Sequence, residues 1–128
     1  RSVKWGLVPD MAITQTLPRL VGIDVAKELT FTGRVFSGTE ARALGLVTRT
    51  SEEPLATALA LANEIAYRSP DAVRAAKRLY DETWTSSDAS AALVLETELQ
   101  SSLIGGANQV EAVAAGADNR VPEFTLPQ

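Results

Sequence analysis

The chain of 128 residues contains no histidine and no cysteine. Without histidine there is no Ser-His-Asp triad, no His-ligated metal, and none of the commonest general base. Without cysteine there is no disulfide, no thiolate nucleophile and no Cys-ligated zinc. Acid–base chemistry must therefore come from Asp, Glu, Lys, Tyr or water. Arg74, Lys77 and Arg78 are the densest basic group, but Asp71, Asp81 and Glu82 stand three or four residues from them. That spacing predicts a charge-compensated, solvated helix face rather than an anion site. Trp5 and Trp84 read as packing residues.

The wider composition bounds the partners. Twelve Lys/Arg against sixteen Asp/Glu give a net charge of −4, which argues against nucleic acid as a partner. No apolar run approaches the roughly 20 residues that a membrane-spanning helix needs, and no basic-then-apolar leader opens the chain. The expectation is a soluble, cytoplasmic protein without a membrane partner. The opening Arg1-Ser2-Val3-Lys4-Trp5 has no initiator Met and reads as strand-like, so a preceding segment is expected.

The elements that must position any site are mostly helical. Pro9-Asp10 ends an apolar stretch from Val3 to Val8, and a first helix is expected over 11–20 with Asp10 as its cap. A second is expected from Asp24 to Phe31, closed by Gly33. Ser37-Gly38-Thr39-Glu40 has the form of a capping box; its short helix ends at Gly45, and Leu46-Val47-Thr48 reads as a brief strand. Pro54 starts a helix with Leu55, Leu59, Ala62 and Ala66 on one face. Ser69-Pro70-Asp71 starts another, with a cap, a first-turn proline and a carboxylate at the positive end of the dipole. Ser86 or Ser87 is expected to cap a long helix carrying Ala91, Leu95, Leu99 and Leu103 at i+4 spacing. Gly105-Gly106 breaks it. Asn108 with Glu111 opens a last helix to about Asn119, and the two prolines of the tail exclude continuous helix. Helices this short must bury their Ala-rich stripes against something else.

The order of local motifs says more than the composition. Lys4-Trp5-Gly6-Leu7-Val8-Pro9-Asp10 is followed by Thr14-Gln15-Thr16-Leu17-Pro18-Arg19-Leu20-Val21-Gly22. Then come Ala26-Lys27-Glu28-Leu29-Thr30-Phe31-Thr32-Gly33-Arg34 and Glu40-Ala41-Arg42-Ala43-Leu44-Gly45-Leu46-Val47. With Ser69-Pro70, Ala75-Ala76-Lys77 and the closing Asn119-Arg120-Val121-Pro122-Glu123-Phe124, this order resembles the crotonase, or enoyl-CoA hydratase/isomerase, family. The resemblance covers essentially the whole chain but only the second half of a typical member. It implies a mainly α chain, the C-terminal helical half of the α/β crotonase spiral fold. Residues 1–128 then form one unit: 1–50 end the core and carry a CoA/acyl-site segment, and 51–128 are a helical oligomerisation region.

The resemblance also names candidate site residues. Family hydratases carry a Glu four residues before the glycine that matches Gly6; Ser2 stands there and cannot exchange protons near neutral pH. Asp10 stands four residues after Gly6, where the dienoyl-CoA isomerase branch carries a catalytic Asp, so Asp10 is the candidate acid/base. A helix cap is the competing reading for the same residue. The family usually has a Gly-rich turn where Asp10, Ala12 and Ile13 stand, and β-branched Ile13 disfavours positive φ. An aromatic and a lysine that many relatives place near the CoA adenine are matched here by Gly116 and Asn119. Arg120 and Phe124 are then the candidates for CoA or acyl contact, with a helix-dipole interaction the alternative for Arg120 and a tail anchor on a neighbouring subunit the alternative for Phe124.

The implied activity is hydration or isomerisation of an acyl-CoA thioester through an enolate, in fatty-acid or related metabolism, with no metal and no separate cofactor because coenzyme A belongs to the substrate. The oxyanion-hole segments of the family precede the matched half, so a truncated form with impaired activity is expected. Expected partners are the acyl-CoA, a homo-oligomer (trimer or hexamer) or the missing N-terminal half. The alternative is a non-catalytic helical assembly module or a remnant of a crotonase.

Overall fold

A computed structural model describes residues 2–10 and 12–127, and it divides into two compact units, Arg1–Pro54 and Leu55–Gln128. In the first unit a 3-10 turn, Ser2–Trp5, replaces the expected strand-like opening. Gly6 ends it at φ 72°, with Leu7 N–H bonded back to the Ser2 carbonyl. The start expected at Met11 lies outside the described residues. The α-helical part of that element, α1, is only Ile13–Thr16, continued by a 3-10 turn over Leu17–Arg19. Pro18 explains the change, because it has no N–H for the α-helical bond to Thr14.

The second helix, α2, runs over Ile23–Thr32 and ends on Gly33 at φ 53°, as the sequence predicts. Ser37 caps α3, Gly38–Ala43, by accepting the Glu40 N–H at 3.1 Å. Leu46 N–H bonds to the Ala41 carbonyl and Gly45 N–H to that of Arg42, the double bond of a Schellman ending. Gly45 is needed twice over, for its φ of 85° and because a Cβ there would sit 3.0 Å from the Leu20 carbonyl oxygen. The strand expected at 46–48 does not form. Those residues make bends, and no strand exists among the described residues to pair with them.

The second unit is a set of four helices: α4, Pro54–Ala66, whose first residue lies at the unit boundary, α5, Pro70–Thr83, α6, Ala89–Leu103, and α7, Ala107–Ala117. Ser69 caps α5 by accepting the Ala72 N–H at 3.4 Å, with Pro70 at the first position. The cap of α6 is Asp88, accepting from Ala91 at 2.9 Å, rather than Ser86 or Ser87. Ser86 instead accepts the N–H of Asp88 and so orders the cap itself. The last helix is capped by Gly106, two residues earlier than expected, which puts Asn108 inside the helix and buried.

Neither unit has an apolar core of ordinary size. Among the described residues the buried apolar side chains are Ala41 and Ala115. Leu55 and Leu59 of α4, Leu93 and Val94 of α6 and Phe31 of α2 are exposed. Both tryptophans, expected to pack, are exposed as well; Trp84 makes a T-shaped pair with Tyr80, with ring centres 5.8 Å apart at 83°. The local helix signals are thus satisfied while most of the apolar stripes are not.

Candidate functional site

The first unit folds its polar candidates around one depression. Ser2 of the opening 3-10 turn and Asp10 of the following loop line the same cavity of about 380 Å³, with Thr30 of α2 and Arg34 of the α2–α3 connection. Pro9, Ile13, Leu17 and Phe36 supply the apolar wall. The two positions singled out from sequence, four residues to either side of Gly6, are therefore brought together. The positive φ of Gly6 turns the chain between them.

Asp10 does not act as the cap of α1. The capping position is Ala12, which makes no side-chain cap bond, and the Asp10 carbonyl accepts the Ile13 N–H at 3.3 Å. Ala12 holds φ at 59°, so the left-handed angle expected to trouble Ile13 falls one residue earlier. The Asp10 side chain is exposed in this chain, open to whatever enters the cavity.

Arg34, which no local sequence signal singles out, lines the same cavity. Its guanidinium reaches Glu28 at 3.1 Å and Glu40 at 2.6 Å and lies 5.8 Å from the Phe36 ring centre. The hydrogen bonds to Glu40 and Glu28 raise its pKa. Glu40 and Glu28 each lie six residues from Arg34, outside the i, i+4 spacing by which ion pairs are read from sequence. Glu40, the acidic member of the expected capping box, thus meets Arg34 through Oε1.

In the second unit the basic group behaves as predicted: Lys77 pairs with Asp81 at 2.6 Å and Arg78 with Glu82 at 2.7 Å. Arg120 lies just past α7, where both its terminal nitrogens meet Glu111, at 2.6 and 2.8 Å. That hydrogen-bonded pair raises the pKa of Arg120, and together with the Glu123 N–H it lowers the Glu111 carboxyl to about 2. Phe124 is half-buried in the tail between Glu123 and Thr125. Among the described residues no group of three or more acidic side chains is placed to hold a metal, and no helix is long and apolar enough to cross a membrane.

Residues 1–126 match the family model described as enoyl-CoA hydratase/isomerase. The chain belongs to this family. It is 41% identical over 125 residues to human enoyl-CoA hydratase domain-containing protein 2, mitochondrial, covering 93% of this chain and 42% of that protein. It is 32% identical over 127 residues to mouse methylglutaconyl-CoA hydratase, mitochondrial, covering 94% of this chain and 40% of the relative. The crystal structure of a probable enoyl-CoA hydratase/isomerase from Mycobacterium abscessus superposes with a TM-score of 0.89 at 35% identity, over 97% of this chain and 51% of that one. The chain thus spans about half the length of the family members it matches, and corresponds to the C-terminal helical half of the crotonase fold.

Proposed function

We propose that this chain supplies the acid/base and acyl-contact wall of an enzyme that hydrates or isomerises an enoyl-CoA. The observation that carries the reading is the shared cavity of Ser2 and Asp10 beneath an apolar wall. Ser2 cannot ionise near neutral pH, and by resemblance to the dienoyl-CoA isomerase branch Asp10 is the group proposed to move a proton. Its carboxylate removes a proton from a carbon of the acyl chain, and the electron pair passes to the thioester oxygen as an enolate. Return of the proton to a different carbon shifts the double bond. Backbone N–H groups hold the enolate oxygen, and by resemblance they come from the preceding half of the fold. One such donor is worth roughly 2.7–4 kcal/mol, so residues 1–128 by themselves are proposed to have impaired activity. Arg120 and Phe124 are proposed as weaker contacts to CoA or the acyl chain; a phosphate at Arg120 competes with Glu111.

The test joins this chain to the preceding half of a family member and follows loss or migration of the enoyl double bond. Asp10→Asn is expected to lower the rate by about 10²–10⁴-fold, the usual contribution of a positioned acid/base. A rate unchanged by Asp10→Asn removes Asp10 from the mechanism.

A second reading has its own support. Exposed Leu55, Leu59, Leu93 and Val94 on α4 and α6 favour a helical assembly module that self-associates as trimers or hexamers, or binds a separate N-terminal half. Light scattering on the 128-residue chain separates the two, since a stable monomer excludes self-assembly as its role.

A further inference from the structure

Two side chains of α7 hold the non-helical tail. Asn108 is 2% exposed, and its carboxamide is fully used. Nδ2 donates to Asp71 Oδ2 at 2.7 Å and to the Thr125 carbonyl at 3.2 Å. Oδ1 accepts the Thr125 N–H at 2.8 Å and its hydroxyl at 3.3 Å. Three residues along the same helix, Glu111 Oε1 accepts the Glu123 N–H at 2.7 Å while its carboxylate grips Arg120. The backbone of alternate tail residues is thus bonded to side chains of a helix, where a neighbouring strand would ordinarily serve.

The tail also has a defined pivot and something beneath it. α7 ends in a Schellman turn, Arg120 N–H to the Ala115 carbonyl, with Asn119 at φ 52°. Pro122 stiffens the segment immediately after it. Thr125 forms part of the wall of a cavity of about 410 Å³ between α5, α6 and α7, alongside Arg74, Ser102 and Gln109. Ordering one residue of backbone costs about as much free energy as one such hydrogen bond returns, so neither attachment holds the segment alone.

We infer that residues 121–127 form a strap closed by two coupled latches, Asn108 on Thr125 and Glu111 on Glu123, which opens as one unit about Asn119 and widens the cavity under it. The inference stands apart from the proposed catalytic reading, because it needs neither the first unit nor a substrate.

Amide hydrogen exchange on the intact 128-residue chain tests it, read at Glu123 and Thr125 with Leu99 inside α6 as the control. Asn108→Ala is expected to speed exchange at both tail amides at least tenfold and to leave Leu99 unchanged. Glu111→Ala, at a half-buried position, is expected to speed the same pair. Acceleration confined in either variant to the amide that lost its acceptor overturns the coupling, and no acceleration overturns the strap. If Asn108→Ala also loosens Leu99, the Glu111→Ala result decides.

Discussion

The Glu111 carboxylate spends both its oxygens on Arg120, at 2.6 and 2.8 Å, and one of them also takes the backbone N–H of Glu123. Three donors converge on one carboxylate, two from a guanidinium and one from the tail. The positive charge that the sequence offers to a ligand at Arg120 is therefore already partnered within the second unit. The same contact ties the end of α7 to the strap.

This pair makes stability depend on acid. The carboxyl of Glu111 sits at about 2 in the folded chain against an ordinary 4.5. In that window the unfolded chain binds the extra proton, so stability rises with pH. The contribution is complete above about 4.5 and is lost as pH falls through about 2. Urea unfolding of the wild type and Glu111→Gln at steps from pH 6 to pH 2 is expected to show the wild type more stable at pH 6 and the gap closing towards pH 2. A gap that stays constant over that range contradicts the assignment.

Backbone strain sits at Ala12, with φ at 59° and no side-chain cap bond. A non-glycine residue held in that region costs roughly 1–2 kcal/mol, and glycine gives back part of the gain through its freer unfolded chain. Ala12→Gly is expected to raise stability by about 1 kcal/mol, read as a higher urea midpoint at unchanged slope. Asn119, at φ 52°, tolerates the same angle better by its residue type, so Asn119→Gly is expected to gain less.

The caps separate what local chemistry dictates from what its neighbours decide. Ser69→Ala and Asp88→Ala each remove the acceptor of a first-turn N–H and are expected to cost about 1 kcal/mol. Ser87→Ala is expected to change the urea midpoint little, because Asp88 is the cap of α6.

Those same residues show how far the sequence could be read. Ser37, Ser69 and Gly33 act through partners within four residues, and the helix ends they cap fall where the pattern predicts. The misread elements depend on distant or absent neighbours. Leu46-Val47-Thr48 has strand-forming residues but no strand beside it, and Trp5 and Trp84 have no core to enter. Asp88 displaced the serines because three adjacent polar residues compete for one cap, and Ser86 serves that cap in turn. At the site, Ser2 and Asp10 stood out one by one through the resemblance around Gly6, and their shared cavity is a finding of the structure alone. Arg34 and Asn108 did not stand out, since their partners lie six, seventeen or thirty-seven residues away. No helical or strand period links such positions.

Ser2 carries the last prediction. It lies in the same cavity as Asp10, and by resemblance it occupies the position of a hydratase glutamate. If Asp10 alone moves the proton, the enzyme completed with the preceding half of a family member shifts a double bond and adds water poorly. Ser2→Glu then puts a second carboxylate in the same cavity, and two carboxylates can activate water and deliver a proton in one site. The expected outcome is a gain in hydration of a 2-enoyl-CoA of at least tenfold, followed as loss of the conjugated double bond. Asp10→Asn added to Ser2→Glu should abolish isomerisation while sparing part of the new hydration. If the double variant loses both activities equally, the two carboxylates work as one group and the division of roles proposed for this cavity is wrong.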